Sequence, residues 1–377
     1  MSAWPGKFVI GLTGNIGTGK SVVRKMLEHL GAYGIDADAL ANRAIAKGSP
    51  AYQPVLDLFG RWVLSADEQI DRAKLGRIVF SDPDALASLE KLVHPLVGQA
   101  LDILIRRSQH SVVVVEAIKL LEAGLGKKCD SIWVTYAPQD LQAARLVKKR
   151  GLTEAAALQR IQAQPPQEAK VGAADIVIRN DGSFESTWTQ VVSAWNKLFP
   201  LSEIEPVDAA GPEAGEIFIH RARPREAENI AVLITQLSGG ARKLTRNDIM
   251  AAFGEKAFLL LRINGRSLGL VGWKVENLVA RTDDLYIDKS LPFFEALGAL
   301  MDEVERVSRE LQCEASLLFL PGDYASQEKD LDKLGYQPRT IQSLGVRAWE
   351  EAAQESMPAG SVMFFKQLRQ DRVLRPV

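Results

Sequence analysis

The chain has 377 residues and a formal net charge of −1, with 25% charged and 46% hydrophobic residues. That is enough chain for two domains with sizeable cores, and the even charge balance excludes a general nucleic-acid binder. Cys129 and Cys313 form no C-x-x-C pair and His29, His94, His110 and His220 are scattered, so neither a disulfide framework nor a zinc site is expected.

Lys7 to Ile10 reads as a short buried strand, and Val22 to Leu30 carries apolar residues at helical spacing. Between them lies "GLTGNIGTGKS", in which Gly14, Gly19, Lys20 and Ser21 fit G-x-x-x-x-G-K-[ST]. Glycines at 14, 17 and 19 let the backbone curl so that successive N–H groups face one anion, and the helix that follows adds its positive end. Lys20 can reach the β- and γ-phosphates of a nucleotide, and the Ser21 hydroxyl can ligate Mg²⁺. The whole loop, Gly14, Asn15, Ile16, Gly17, Thr18, Gly19, Lys20, Ser21 and Val22, is therefore the expected nucleotide-binding segment.

Strands and helices then alternate: "YGIDAD", helical sequence to about Arg107, "SVVVVEA", a helix, "SIWVTYA", two helices, "ADIVIRN" and a last helix through Trp195. This order predicts a parallel sheet covered on both faces, with ligands at the carboxyl ends of its strands. Asp36, Asp38 and Glu116 fall at such ends. Any one of them alone could cap a helix, but their shared placement marks a ligand edge. Phosphoryl transfer needs a held donor, a base or orienter for the acceptor hydroxyl, and cations on the moving charge. Asp36 is the candidate base, and Lys20, Arg145 and Arg150 are the candidate cations. The two arginines belong to "QAARLVKKRGLTE", a basic helix broken by Gly151 before "TEAAALQRIQAQ", which has the makeup of a lid over phosphates.

The succession "GLTGNIGTGKS", "GIDAD", "IDRAKLGRIVF", "LEKLVHP", "EAIKLLEAGL", "DSIWVTYAP", "RLVKKRGLTEAAALQRIQAQ" and "AADIVIRNDGS" resembles dephospho-coenzyme A kinase over residues 7 to about 197. The resemblance implies a P-loop NTPase fold with helical substrate and lid regions, and ATP-dependent phosphorylation of the 3′-hydroxyl of dephospho-CoA with Mg²⁺. It further implies that Asp36 orients the acceptor and that Asp38, Arg72, His94 and Glu122 lie on the acceptor side. Asn180 would lie beside the nucleotide, and Glu116 would meet the metal through water. Four positions depart from the family pattern: Asn15 stands for a glycine, Val22 for a threonine, Glu116 for an aspartate and Lys119 for an apolar residue. Asn tolerates positive φ, which would let Asn15 keep the loop shape.

"LFPLSEIEPVDAAGPEAGEIF" is rich in Pro, Ala, Gly and Glu and reads as a linker over residues 201–215, between a kinase domain at 1–200 and a second domain at 216–377. The second domain starts with a strand, "EIFIHRA", and a helix. A hairpin follows, turning at Asn264-Gly265, then a strand "RTDDLYID", a helix from "PFFEAL", a strand "EASLLFLP", a helix ending at "LGYQP" and a terminal strand. The order resembles GNAT acetyltransferases and predicts an α/β domain with a mixed sheet. The acetyl-CoA motif R/Q-x-x-G-x-G/A of that family is replaced by "DKSLPFFEALGAL". Pro292 has no N–H, Phe293 and Phe294 fill space a glycine would leave open, and Glu295 would repel a pyrophosphate, so the domain reads as non-catalytic. Three rivals stay open: another P-loop small-molecule kinase, a nucleotide-regulated switch, and an acetyl-CoA-binding or acetyltransferase protein with a vestigial kinase half. The N-terminus runs straight into the first strand and "SVVVVEAIKLL" is interrupted by Glu116 and Lys119, so neither a cleavable signal nor a membrane span is expected. Nucleic acid and membrane are not expected partners, and a cytoplasmic location follows.

Overall fold

Strands of the first half are short and apolar on both faces, as in "VVVVE", and they pair into one parallel sheet because each is followed by a helix that returns the chain. The computed structural model describes residues 3–79, 81–200, 216–322 and 328–370, without the side chains of 149, 150 and 328. The linker expected at 201–215 lies outside the described residues.

The first sheet comprises β1 (Phe8–Thr13), β2 (Tyr33–Asp36), β3 (Val112–Glu116), β4 (Ser131–Tyr136) and β5 (Ile176–Arg179), in the order β2-β3-β1-β4-β5. Helices α1 (Lys20–His29), α2 (Ala37–Ala44), α3 (Tyr52–Phe59), α4 (Arg72–Val79), α5 (Pro83–Arg107), α6 (Gln139–Arg150), α7 (Glu154–Gln162), α8 (Gln167–Gly172) and α9 (Phe184–Leu198) surround it. Alternate residues of β1 divide the core: Val9 joins α2 to α5 on one face, while Ile10 and Leu12 join α1 and α9 on the other. The sheet matches the fold class expected from sequence, with α8 as an addition.

The second half forms β6 (Ile217–Arg221), α10 (Ala227–Leu237), α11 (Arg246–Ala252), β7 (Ala257–Ile263), β8 (Arg266–Glu276), β9 (Val279–Ile287), α12 (Phe293–Glu310), β10 (Ala315–Pro321), α13 (Glu328–Lys333), β11 (Gln337–Pro338), α14 (Arg347–Ser356) and β12 (Ser361–Gln367). Its seven-stranded sheet runs β11-β12-β10-β9-β8-β7-β6, mixed because β9 and β10 are parallel and the other pairs antiparallel. Along β7, Leu259 and Leu261 face α12, whereas Phe258 and Leu260 face α10 and α11. Among the described residues no helix is long and apolar enough to cross a membrane.

The two halves meet through buried groups. The β8–β9 turn is made by Asn277 and Leu278, both with positive φ, at 52° and 61°. Leu278 is 8% exposed and belongs to the same buried cluster as Tyr33, Ile35, Leu40 and Leu104 of the first half. Full burial of a leucine is worth about 2–3 kcal/mol, which outweighs the left-handed backbone's cost of about 1–2 kcal/mol. Arg43 of α2 donates to the Asn277 carbonyl at 2.8 Å and to both oxygens of the buried Glu314 carboxylate at 2.6 Å. Lys25 of α1 donates to the Val275 carbonyl at 3.1 Å. Gly254 fits so closely that a Cβ there would lie 3.1 Å from Phe184 and 3.4 Å from Val22. The apolar residue at position 22, where the family pattern has threonine, thus packs against the first-half core and lies close to Gly254 of the second domain.

His29 belongs to this interface, half-buried, with its Nε2 at 2.8 Å from the Phe253 carbonyl and its ring edge-on to Phe253 and Trp188. Burial, reinforced by the Arg221 charge, pushes its pKa down to about 3. A histidine depressed in the folded state leaves the unfolded chain holding more protons between about pH 3 and pH 6.5, so stability present above pH 6.5 is lost as the pH falls. Lowering the pH from 7 to 5 is expected to cost the wild type about 1 kcal/mol more than a His29→Gln variant, after allowance for the ring's partial exposure. Urea unfolding at both pH values measures the difference; equal losses would remove His29 from the acid response.

Candidate active site

The loop between β1 and α1 takes its shape from three glycines with positive φ, Gly14, Gly17 and Gly19. A Cβ at Gly19 would fall 1.9 Å from Asn180 Nδ2, and one at Gly14 would fall 2.4 Å from Thr135 Oγ1, so neither position can take a side chain without displacing its neighbour. Asn180 donates from Nδ2 to the Thr18 carbonyl at 3.0 Å and accepts from Thr187 at 3.1 Å. Thr18 and Thr135 join their hydroxyls at 2.7 Å.

Asn15 corrects one expectation: it is not among the residues of positive φ. The loop therefore does not need a left-handed residue at 15. The side chain instead donates to the Pro165 carbonyl at 2.8 Å, while the Ile16 N–H donates to Gln164 Oε1 at 2.7 Å. These bonds fasten the segment between α7 and α8 onto the loop. Ile16 also packs against Leu146, Ala157 and Ile161 of α6 and α7. Arg145 donates to the Gly17 carbonyl at 3.1 Å and to the Asn180 carbonyl at 2.7 Å, which sets its guanidinium beside the loop as a lid cation would require. Arg150 closes α6, and its side chain lies outside the described residues.

Lys20 is buried and donates to the Gly14 and Asn15 carbonyls at 3.0 and 3.3 Å. Burial lowers its pKa, opposed by the charges of Glu116, Asp38 and Asp36. Those acids come together because β2 and β3 run in register with Asp36 opposite Glu116. Asp36 Oδ1 accepts from the Ala39 N–H at 2.9 Å and caps α2, so the residue is a helix cap that also lines a cavity at the strand end. Burial, and after it the Glu116 charge, pushes the Asp36 carboxyl up to about 6. Asp38 Oδ2 accepts from the Ile118 N–H at 3.1 Å and ties α2 to the segment after β3; burial raises its pKa. Glu116 accepts from Ser21 Oγ at 2.9 Å on one oxygen and from Arg24 Nε at 2.7 Å on the other.

A Mg²⁺ ion bound with a nucleotide keeps several waters and phosphate oxygens and needs one or two protein oxygens. Ser21 Oγ beside Glu116 Oε1 meets that need at the mouth of the loop, with the second Glu116 oxygen occupied by Arg24. Among the described residues no group of three or more His, Cys, Asp or Glu side chains is placed to hold a metal without such help.

Gly17, Gly19, Lys20, Ser21, Val22, Asp36, Asp38, Glu116, Arg145 and Asn180 line one cavity of about 930 Å³. Its far wall belongs to the second domain and includes Gly254, Glu276, Asn277 and Leu278. Arg72 lines a neighbouring cavity of about 540 Å³ and pairs with Glu351 of α14 at 3.2 Å. His94 is exposed on α5 and lines neither cavity. Glu122 is exposed and lies 3.3 Å from Lys170 Nζ. Lys119 turns outward to Glu90 of α5 at 2.6 Å and leaves the site uncrowded.

Sequence reasoning missed two buried cations. Arg24 bridges Glu116 and Glu28, the latter at 2.7 Å, and with Lys25 it holds Glu28 down to about 2 against the opposing effect of burial. Its signal was the Arg24/Glu28 spacing of four on the apolar face of α1. Lys170 donates to the Ile118 carbonyl and adds positive charge near Lys20; nothing in its local sequence distinguishes it from a surface lysine.

A glycine-rich loop carrying Lys20 and Ser21, with Arg145 beside it and the Asp36 carboxylate at the adjoining strand end, has the makeup of a P-loop phosphotransferase. The family model for dephospho-CoA kinase matches residues 8–186. Two similar proteins are the dephospho-CoA kinases of Geobacter metallireducens and Carboxydothermus hydrogenoformans. The first is 44% identical over 192 residues, covering 50% of this chain and 96% of the relative, and the second is 43% identical, covering 50% and 93%. The chain belongs to the dephospho-CoA kinase family. Among solved structures, a Thermus thermophilus protein matches with 33% identity and a TM-score of 0.47, over 51% of this chain and 97% of that one. A GNAT acetyltransferase from Staphylococcus aureus matches with 15% identity and a TM-score of 0.33, over 41% of this chain and all of that one.

Proposed function

We propose that the chain transfers the γ-phosphoryl group of ATP to the 3′-hydroxyl of dephospho-CoA, releasing ADP and CoA. The observation that carries this reading is the convergence of Lys20, Ser21, Asp36, Glu116 and Arg145 on one cavity. The loop N–H groups and Lys20 hold the donor phosphates, and Arg145 stands ready for the charge that develops on the moving group. Asp36 accepts the proton of the attacking hydroxyl, its raised pKa matching it to that task near neutral pH. Ser21 and Glu116 would hold Mg²⁺, which when bound neutralises charge on the β- and γ-phosphates. The compartment proposed for this reaction is the cytoplasm. A coupled assay of ADP release from ATP and dephospho-CoA tests the reading; release independent of dephospho-CoA would refute it.

The second domain is proposed to transfer no acetyl group. Pro292 caps α12, Phe293 and Phe294 pack into the domain core, and the exposed Glu295 occupies the first turn. A pyrophosphate there would lose water without gaining converging N–H donors. The full-length chain is expected to release CoA from acetyl-CoA no faster than the uncatalysed rate across a panel of primary amines. Amine-dependent thiol release would restore the acetyltransferase assignment.

A further inference from the structure

The acceptor of the proposed reaction is larger than its reacting ribose, and its anionic diphosphate arm extends away from the hydroxyl that Asp36 would meet. Two cavities adjoin at Ala39, Asn42 and Asn277, and Ala39 is the residue whose N–H binds Asp36. The second of them lies between α2 to α4 of the kinase half and α14 of the second domain. Resting on the kinase reading, we propose that this second cavity receives the diphosphate-bearing arm of dephospho-CoA, and that Arg347 and Glu351 of the second domain set how tightly the arm is held.

Charge in the cavity wall supports this. Arg43, Lys47, Arg72 and Arg347 line it against a single lining carboxylate, Glu351. Arg43 is committed to Glu314 and the Asn277 carbonyl. Arg72 and Arg347 share Glu351, at 3.2 and 2.8 Å from the same oxygen, so the pair carries one positive charge in excess. Lys47 likewise shares its partner Glu68 with Arg61. Arg72 is 50% and Arg347 29% exposed at the side chain, so both forks stay accessible to an anion although Arg347 also donates to the Ile70 carbonyl at 3.5 Å. Guanidinium forks suit phosphate oxygens in geometry and charge. Glu351 competes with that anion for both forks. The second domain would thus act in acceptor recognition although it transfers nothing itself.

Two variants of the full chain should move in opposite directions. Arg347→Glu is expected to raise both KM and the calorimetric Kd for dephospho-CoA by about tenfold or more, with the KM for ATP within about threefold of wild type. Glu351→Gln frees both arginines and is expected to lower the same two constants by about threefold. A purely structural role for α14 would weaken the enzyme in both variants. Shifts of the same sign, or no shift in either, would overturn the proposal. A wild-type chain that neither binds nor phosphorylates dephospho-CoA would instead strike at the kinase reading.

Discussion

Replacement of Asp36 by Asn is expected to lower kcat by about 10²- to 10⁴-fold, with a smaller effect on the KM for ATP. The substitution separates the two roles that the structure gives this residue. Asn is as good a helix N-cap as Asp, so the bond from Ala39 N–H and the start of α2 survive. What disappears is a carboxylate able to take a proton from the acceptor, and with it one of the two negative charges that face each other across β2 and β3. Steady-state rates at saturating ATP and dephospho-CoA, with circular dichroism as the folding control, provide the test. If ATP affinity collapses while turnover at saturation persists, Asp36 is a structural or metal-side residue rather than the base.

Lys20→Ala is expected to lower turnover by about 10²-fold or more while leaving the fold intact. Among the described residues the lysine's ammonium donates to carbonyls of its own loop, at Gly14 and Asn15, and the residue belongs to none of the apolar clusters. Burial makes its charge costly in the resting protein and strong toward a phosphate, since water no longer screens it. The loss should therefore fall on transfer rather than on stability. An unchanged far-ultraviolet spectrum with near-wild-type turnover would end the phosphate-loop assignment.

The candidate site was legible because its elements are local. Gly14 to Ser21 is one contiguous stretch, and Asp36 and Glu116 each stand at the end of an apolar run, so strand order alone brings them together. The second domain's hairpin at Asn264-Gly265 was equally plain, since Asn-Gly between apolar runs has a backbone requirement of its own. The turn at Asn277-Leu278 was not: leucine seldom adopts positive φ, and only its burial in a distant cluster holds it there. Helix α14 escaped notice because "RAWEEAAQES" is charged and short, with Ala348, Trp349, Ala352 and Ala353 as its one apolar stripe. The cavity it encloses with α4 arises from tertiary contact between Arg72, Arg347 and Glu351, which no spacing in the sequence encodes. Position 22 shows the same limit: as a departure from a motif it looked like a lost hydroxyl, and only the approach of Gly254 reveals a packing contact.

The seating of Leu278 among Tyr33, Ile35 and Leu104 bears on how this protein is made. A chain emerging from the ribosome presents its kinase strands long before the leucine that completes their cluster is synthesised. During that interval the first half carries an uncovered apolar hollow beside its edge strand β2, the kind of surface that recruits chaperones or neighbouring nascent chains. Closure then requires Leu278 to meet Tyr33 and Ile35, which precede it by more than half the sequence, and the loop entropy of that contact slows the last step of assembly. The expected order of biogenesis is therefore the elements around Lys20 first and the cavity they share with the second domain last, when that domain has folded and delivered its turn.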